Sequence, residues 1–221
     1  MHYKVLFMQE KQPPLETLQD IKRMMEKSSR FISLSGWSGI SAGVCALIGA
    51  AIAYSKIAGS SLRSDDSSNT TTEYILRFGG VNLVNELLWI AIIVFIAAFA
   101  SAFFFTYLRS KKNNMPMWDL VSRRLLWNLL IPLLAGGACL LRMLQMGFIG
   151  FIAPCSLIFY GLSLLNASKY TLGEIRYLGI GQLVLGIVNL WMMGYGLYFW
   201  AVGFGLLHIV YGILMWRKYE R

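Results

Sequence analysis

The stretch Gly179–Trp216, GIGQLVLGIVNLWMMGYGLYFWAVGFGLLHIVYGILMW, runs for 38 residues without a Lys, Arg, Asp or Glu. A helix rises 1.5 Å per residue and a bilayer's hydrocarbon core is about 30 Å thick, so this length serves two crossings. Hydrocarbon offers the backbone no hydrogen-bond partner, which makes helices the form such crossings take. The stretch is therefore predicted to be a hairpin of two transmembrane helices.

The rest of the chain agrees with that reading. Of 221 residues 57% are hydrophobic and 14% charged, and mean hydropathy is +0.56, outside the range of ordinary soluble domains. The expected fold class is an all-α, polytopic helical membrane protein with six transmembrane helices, at about 31–54, 84–108, 125–144, 147–166, 178–195 and 197–216. A leader, 1–30, precedes them and a short tail, 217–221, follows. The first apolar run begins at Phe31 and is too long for the core of a cleavable signal, while Met8 opens a more ordinary soluble leader than Met1.

The formal charge of +9 raises nucleic acid as a partner, but the basic residues gather in short segments beside apolar spans. That pattern encodes orientation rather than a grip on a duplex, so no nucleic acid is expected. With the amino terminus inside, the inner segments hold sixteen Lys and Arg and the outer loops four, which places both termini in the cytoplasm. In the leader, Leu15, Leu18, Ile21 and Met25 follow Pro14 at helical spacing beside Lys22, Arg23, Lys27 and Arg30. This predicts an amphipathic helix on the headgroups, making the lipid bilayer the first partner. The long polar loop from Gly59 to Gly80 resembles neither a metal site nor a phosphate cradle and reads as a solvated connector.

Polar residues inside apolar spans are costly and face protein rather than lipid. Gln182, Gly186, Asn189 and Met193 fall on one face of the fifth span, and Ala201, Gly205, His208 and Gly212 on one face of the sixth. With Asn128 on the third span, they make Asn128, Gln182, Asn189 and His208 a candidate intramembrane polar cluster. His208 is either a neutral imidazole sharing a hydrogen bond with Gln182 or a titrating or ligand-holding group. Glu86 and Arg142, at similar depth near the outer surface, either pair with each other or end their helices among headgroups. Span one carries Ser35, Gly39, Gly43, Ala46 and Ala50 as a small-residue ridge, which packs within the molecule or forms a homodimer seam.

A shift of 54 carries Asn128 to Gln182 and Pro132 to Gly186. A shift of 51 carries Gly150, Pro154, Leu157 and Gly161 to Ala201, Gly205, His208 and Gly212. Spans three and four therefore match spans five and six either as a duplicated hairpin or by chance agreement of small residues. Cys45, Cys139 and Cys155 all lie in apolar spans and form no disulfide framework. HExxH, GxSxG, Walker A and CxxC signatures are absent, and His208 has no second intramembrane histidine for a haem. No enzyme, metal or cofactor is expected.

The runs SRFISLSGWSGI, WDLVSRRLLWNLLIPL, LIFYGLSLLNASKYTLGEIRYLG and GFGLLHIVYGILMW resemble a family of uncharacterised bacterial six-span inner-membrane proteins. The resemblance covers nearly everything after Leu15; it implies the fold and a bacterial inner membrane, and carries over no functional residue. The expected function is a non-enzymatic sensor or accessory protein that binds a small ligand, or a membrane or cytoplasmic protein partner. The alternative is a small secondary transporter of a small or lipophilic solute.

Overall fold

The computed structural model describes residues 35–62, 81–113 and 118–221, and these are helical throughout apart from turns. The amphipathic leader and most of the Gly59–Gly80 loop lie outside the described residues. Among the described residues six helices follow one another: α1 (Gly36–Leu62), α2 (Val81–Lys112), α3 (Leu120–Gln145), α4 (Ile152–Ala167), α5 (Glu174–Trp191) and α6 (Gly196–Tyr219). Short 3₁₀ turns, Ile149–Phe151 and Ser168–Tyr170, bracket α4. Among the described residues five segments are long and apolar enough to cross a membrane: Gly36–Gly59, Leu83–Lys112, Leu120–Gln145, Ile149–Tyr170 and Gly196–Tyr219. The fifth helix, α5, has 18 residues and carries Glu174, Arg176, Gln182 and Asn189, which lower its hydropathy, and it is not among them.

The helices are arranged as a row with a doubled centre. The outer helix α2 packs on α1, α1 on α6, α6 on α5 and the start of α4, α5 on α4, and α4 on the outer helix α3. Two glycine seams set the close approaches, because a missing Cβ lets backbones touch. At the first, a Cβ on Gly212 would fall 2.6 Å from Gly36 O and from Ile40 N, and one on Gly43 2.6 Å from Gly205 O. The Gly39/Gly43 ridge of α1 thus packs against α6 of the same chain. At the second, a Cβ on Gly161 would fall 2.8 Å from Gly179 O, and one on Gly186 2.9 Å from Pro154 O.

Turn chemistry fits the connections. Gly147 after α3 and Gly194 before α6 have φ of 78° and 97°, a left-handed conformation that costs glycine nothing. Asp119 caps α3, its Oδ1 accepting from Leu120 N. Pro154 lies in the first turn of α4, where its missing N–H removes no helical bond. The outer faces of α2 and α3 are apolar and exposed, as surfaces that meet lipid are: Trp89, Ile93, Phe99 and Phe103 on α2, Trp127, Ile131 and Leu134 on α3.

Both ends of the helices are marked by charge. Arg109, Arg123, Arg124, Arg176, Arg217 and Lys218 lie where α2 and α6 end and α3 and α5 begin, while Lys56 and Arg142 lie at the far end. At the basic end Glu220 gathers three elements: its Oε1 accepts from Arg109 Nη1 at 2.6 Å, from Ser35 Oγ at 3.1 Å and from the Gly36 N–H. That anion caps the first turn of α1, whose N–H groups have no helical partner.

Candidate functional site

The centre of the molecule is built where α6 departs from α-helical geometry. From Ala201 to Leu207 the helix winds as a π-helix, between α-helical Gly196–Trp200 and His208–Tyr219. Such wider turns are rare and often mark functional sites, because they present backbone carbonyls to side chains. Here the Gly203 carbonyl accepts from Gln182 Nε2 of α5 at 2.7 Å and lies 3.1 Å from His208 Nδ1. A carbonyl only accepts, so Nδ1 carries a hydrogen, and in the neutral ring Nε2 is left to accept from the Tyr160 hydroxyl of α4, 2.8 Å away. Three helices therefore meet through one carbonyl and one imidazole.

Glycine makes the meeting geometrically feasible. A Cβ on Gly203 would fall 2.5 Å from Leu157 Cδ2 and 2.7 Å from Gln182 Oε1. Aromatic rings close the site on one side: Tyr160 stacks on His208 with centroids 5.5 Å apart, and Phe204 lies 5.1 Å from Tyr160. The candidate cluster is divided. Gln182 and His208 come together, but as two donors 3.4 Å apart sharing Gly203 O, not as a direct hydrogen-bonded pair. Asn189, 1% exposed, lies two turns further along α5.

Asn128 does not join them. Its Nδ2 donates to Arg124 O within α3, and its own carbonyl accepts from Asn166 Nδ2 of α4 at 2.9 Å, near the basic end. The pairing of Glu86 with Arg142 is likewise corrected. Glu86 Oε2 meets Lys56 Nζ of α1 at 3.1 Å, while Arg142 Nη1 donates to Gln145 on its own helix at 3.3 Å. Similar depth is not similar azimuth: α2 packs on α1, whereas α3 lies across the molecule on α4.

Both imidazole nitrogens are engaged, so the unused capacity lies elsewhere. Gln182 Oε1 and Asn189 Nδ2 have no hydrogen-bond partner among the described residues, and both side chains are almost wholly enclosed, at 0% and 1% exposure. A buried polar atom left unpaired costs about 1–3 kcal/mol, which a bound acceptor or donor would recover. Tyr160 and Gly203 were missed by sequence reasoning. The signal for Tyr160 was present in its adjacency to Gly161 on the buried face of α4. Gly203, one of many membrane glycines, carried none.

A second polar group ties α5 to α6 at the basic end. Glu174 Oε1 accepts from Lys218 Nζ, and from Tyr219 Oη at 2.9 Å. Burial pushes the Glu174 carboxyl up, but these hydrogen bonds, one from its own backbone and the Lys218 charge prevail and hold it below its ordinary value. Among the described residues no three His, Cys, Asp or Glu side chains gather as a metal-binding group.

Fold and site together define a multi-pass helical membrane protein with a polar centre at a π-helical turn. Compared with models of known families, with curated proteins and with solved structures, the chain finds no match.

Proposed function

We propose that this is a six-span bacterial inner-membrane protein, both termini cytoplasmic, that acts as a non-enzymatic sensor or accessory protein. It binds a small molecule, or a partner's polar group, along the buried face of α5. The observation carrying this reading is Gln182 Oε1, an enclosed acceptor with no partner among the described residues, beside a π-helical turn. Binding there bears on the Gly203 carbonyl and hence on the seat of α6 against α5. Through Glu174 with Lys218 and Tyr219, and Glu220 with Arg109 and Ser35, that seat is mechanically joined to the basic end.

Support for the sixth crossing comes from direction. The start of α5 meets the end of α6 at Glu174 and Lys218, and α5 runs antiparallel to both neighbours for 18 residues, about 27 Å at 1.5 Å each. Support for a cytoplasmic basic end comes from its excess of Lys and Arg. The resemblance to the six-span family points the same way. A solute screen by thermal shift on purified protein tests the function: a solute that stabilises wild type and fails to stabilise Gln182→Leu is expected, and equal shifts in both contradict it.

A secondary transporter is the second reading, favoured by the π-helical break near mid-span, since transporters place binding sites at interrupted helices, and by the candidate duplication of the α3–α4 and α5–α6 hairpins. The two glycine seams use different partners, α1 for Gly212 and α5 for Gly161, so matched positions of the repeat would serve different neighbours. Saturable flux in proteoliposomes that disappears in Gln182→Ala and His208→Ala would decide for transport.

A further inference from the structure

The start of α3 presents charge that no acid among the described residues answers. Arg123, Arg124 and, on the 3₁₀ turn that packs against α3, Lys169 are all exposed, and none has an acidic partner among the described residues. Among the described residues the acids at this end are engaged elsewhere: Asp119 caps α3, Glu174 holds Lys218 and Glu220 holds Arg109. Arg123 and Arg124 also stand near the positive end of a helix, where a cation is disfavoured, so their position is not explained by the stability of α3 itself.

Their setting has the shape of a lipid. Arg123 heads a single helical stripe that continues through Trp127, Ile131, Leu134 and Leu141, exposed by 61, 62, 64 and 60%. Exposed Trp118 and Trp127 flank the arginines, and tryptophan settles at the depth of the headgroups. The cations are thus held at phosphate level above an apolar track that an acyl chain can follow.

We infer that the seam between the start of α3 and the end of α4 is a binding site for an anionic phospholipid, its phosphate held by Arg123, Arg124 and Lys169 and its chain laid along the Trp127–Leu141 stripe. The occupant is a lipid because the charge is continuous with a lipid-facing surface. A soluble anion would have no use for the stripe. Each basic residue near an anionic lipid surface shifts binding by about fivefold, falling as salt rises.

Native mass spectrometry of the full chain in equal phosphatidylglycerol and phosphatidylcholine reads the preference directly. Wild type is expected to take phosphatidylglycerol as its first bound lipid by about fivefold or more, and the preference should shrink as ammonium acetate is raised. Arg123→Gln with Arg124→Gln should bring the ratio towards one, whereas Lys111→Gln with Lys112→Gln, on α2 at the same end, should leave it unchanged. No preference in wild type overturns the proposal. So does an equal loss in the Lys111/Lys112 variant, which would mean diffuse charge rather than a site. Displacement of the lipid by millimolar inorganic phosphate would show a free-anion site instead and overturns it too.

Discussion

The Tyr160 hydroxyl donates to His208 Nε2 at 2.8 Å and so joins α4 to α6 through the one histidine in the described residues. Interhelical hydrogen bonds in membranes average about 0.6 kcal/mol and reach about 1.7 kcal/mol. A double-mutant cycle on Tyr160→Phe and His208→Gln, read by reversible unfolding in mixed micelles, is expected to show coupling in that range. Strict additivity would mean the bond is not made.

The α1–α6 seam responds to single methyl groups. In Gly212→Ala the new Cβ meets backbone at 2.6 Å on two sides, Gly36 O and Ile40 N, so the helices must part. A loss of about 1–3 kcal/mol is expected, as for overpacked cores. Gly137→Ala, with nothing within 4 Å, should change stability by less than about 1 kcal/mol. Equal effects at both positions would refute the seam.

Acid should loosen the α5–α6 tie. The Glu174 carboxyl is held below its ordinary value of 4.5, so its contribution is complete above that value in the unfolded chain and is lost as pH falls through the lower folded value. Unfolding from pH 7 to pH 3 should show the stability gap between wild type and Glu174→Gln narrowing below about 4.5. A constant gap would mean that the charge contributes nothing.

The two acid–base contacts of α2 should differ in weight. Lys56 and Glu86 are half exposed, at 53 and 51%, and such pairs contribute about 0–1 kcal/mol. Arg109 and Glu220 are exposed by 10 and 16%, and Glu220 also holds Ser35 and the start of α1. Glu220→Gln should therefore cost more than Glu86→Gln, on the order of 2 kcal/mol against a few tenths, in the same unfolding assay. Glu86→Gln and Arg142→Gln should be additive, since the two side chains have different partners.

Much of this was legible in the sequence for a physical reason. Small residues at spacings of three and four have few uses in lipid other than close packing, so Gly39, Gly43, Gly205 and Gly212 announced a seam, and the stripes of Gln182 and His208 announced their convergence. The π-helical turn was not legible, because AVGFGLL spells no geometry by itself; Gly203 therefore passed unnoticed as the shared acceptor. Depth could be counted along a span but azimuth could not, which is how Glu86 came to be matched with Arg142 rather than Lys56. Glu220 carried no signal in the sequence, because its role exists only once the fold brings the start of α1 and the end of α2 to its level. The polar side chains that make α5 the centre of the site, Gln182 and Asn189, are also what lower its hydropathy.

Whether α5 crosses the bilayer decides the account. On a background with Cys45, Cys139 and Cys155 replaced by Ala, single exposed positions at Arg176→Cys, Tyr195→Cys and Arg217→Cys can be probed in intact cells with a membrane-impermeant maleimide. Six crossings predict that Tyr195→Cys is labelled from outside while Arg176→Cys and Arg217→Cys react only after the membrane is opened. Labelling of Arg176→Cys and Tyr195→Cys from the same side would show that α5 does not cross, and would remove the proposed intramembrane site at Gln182 with it.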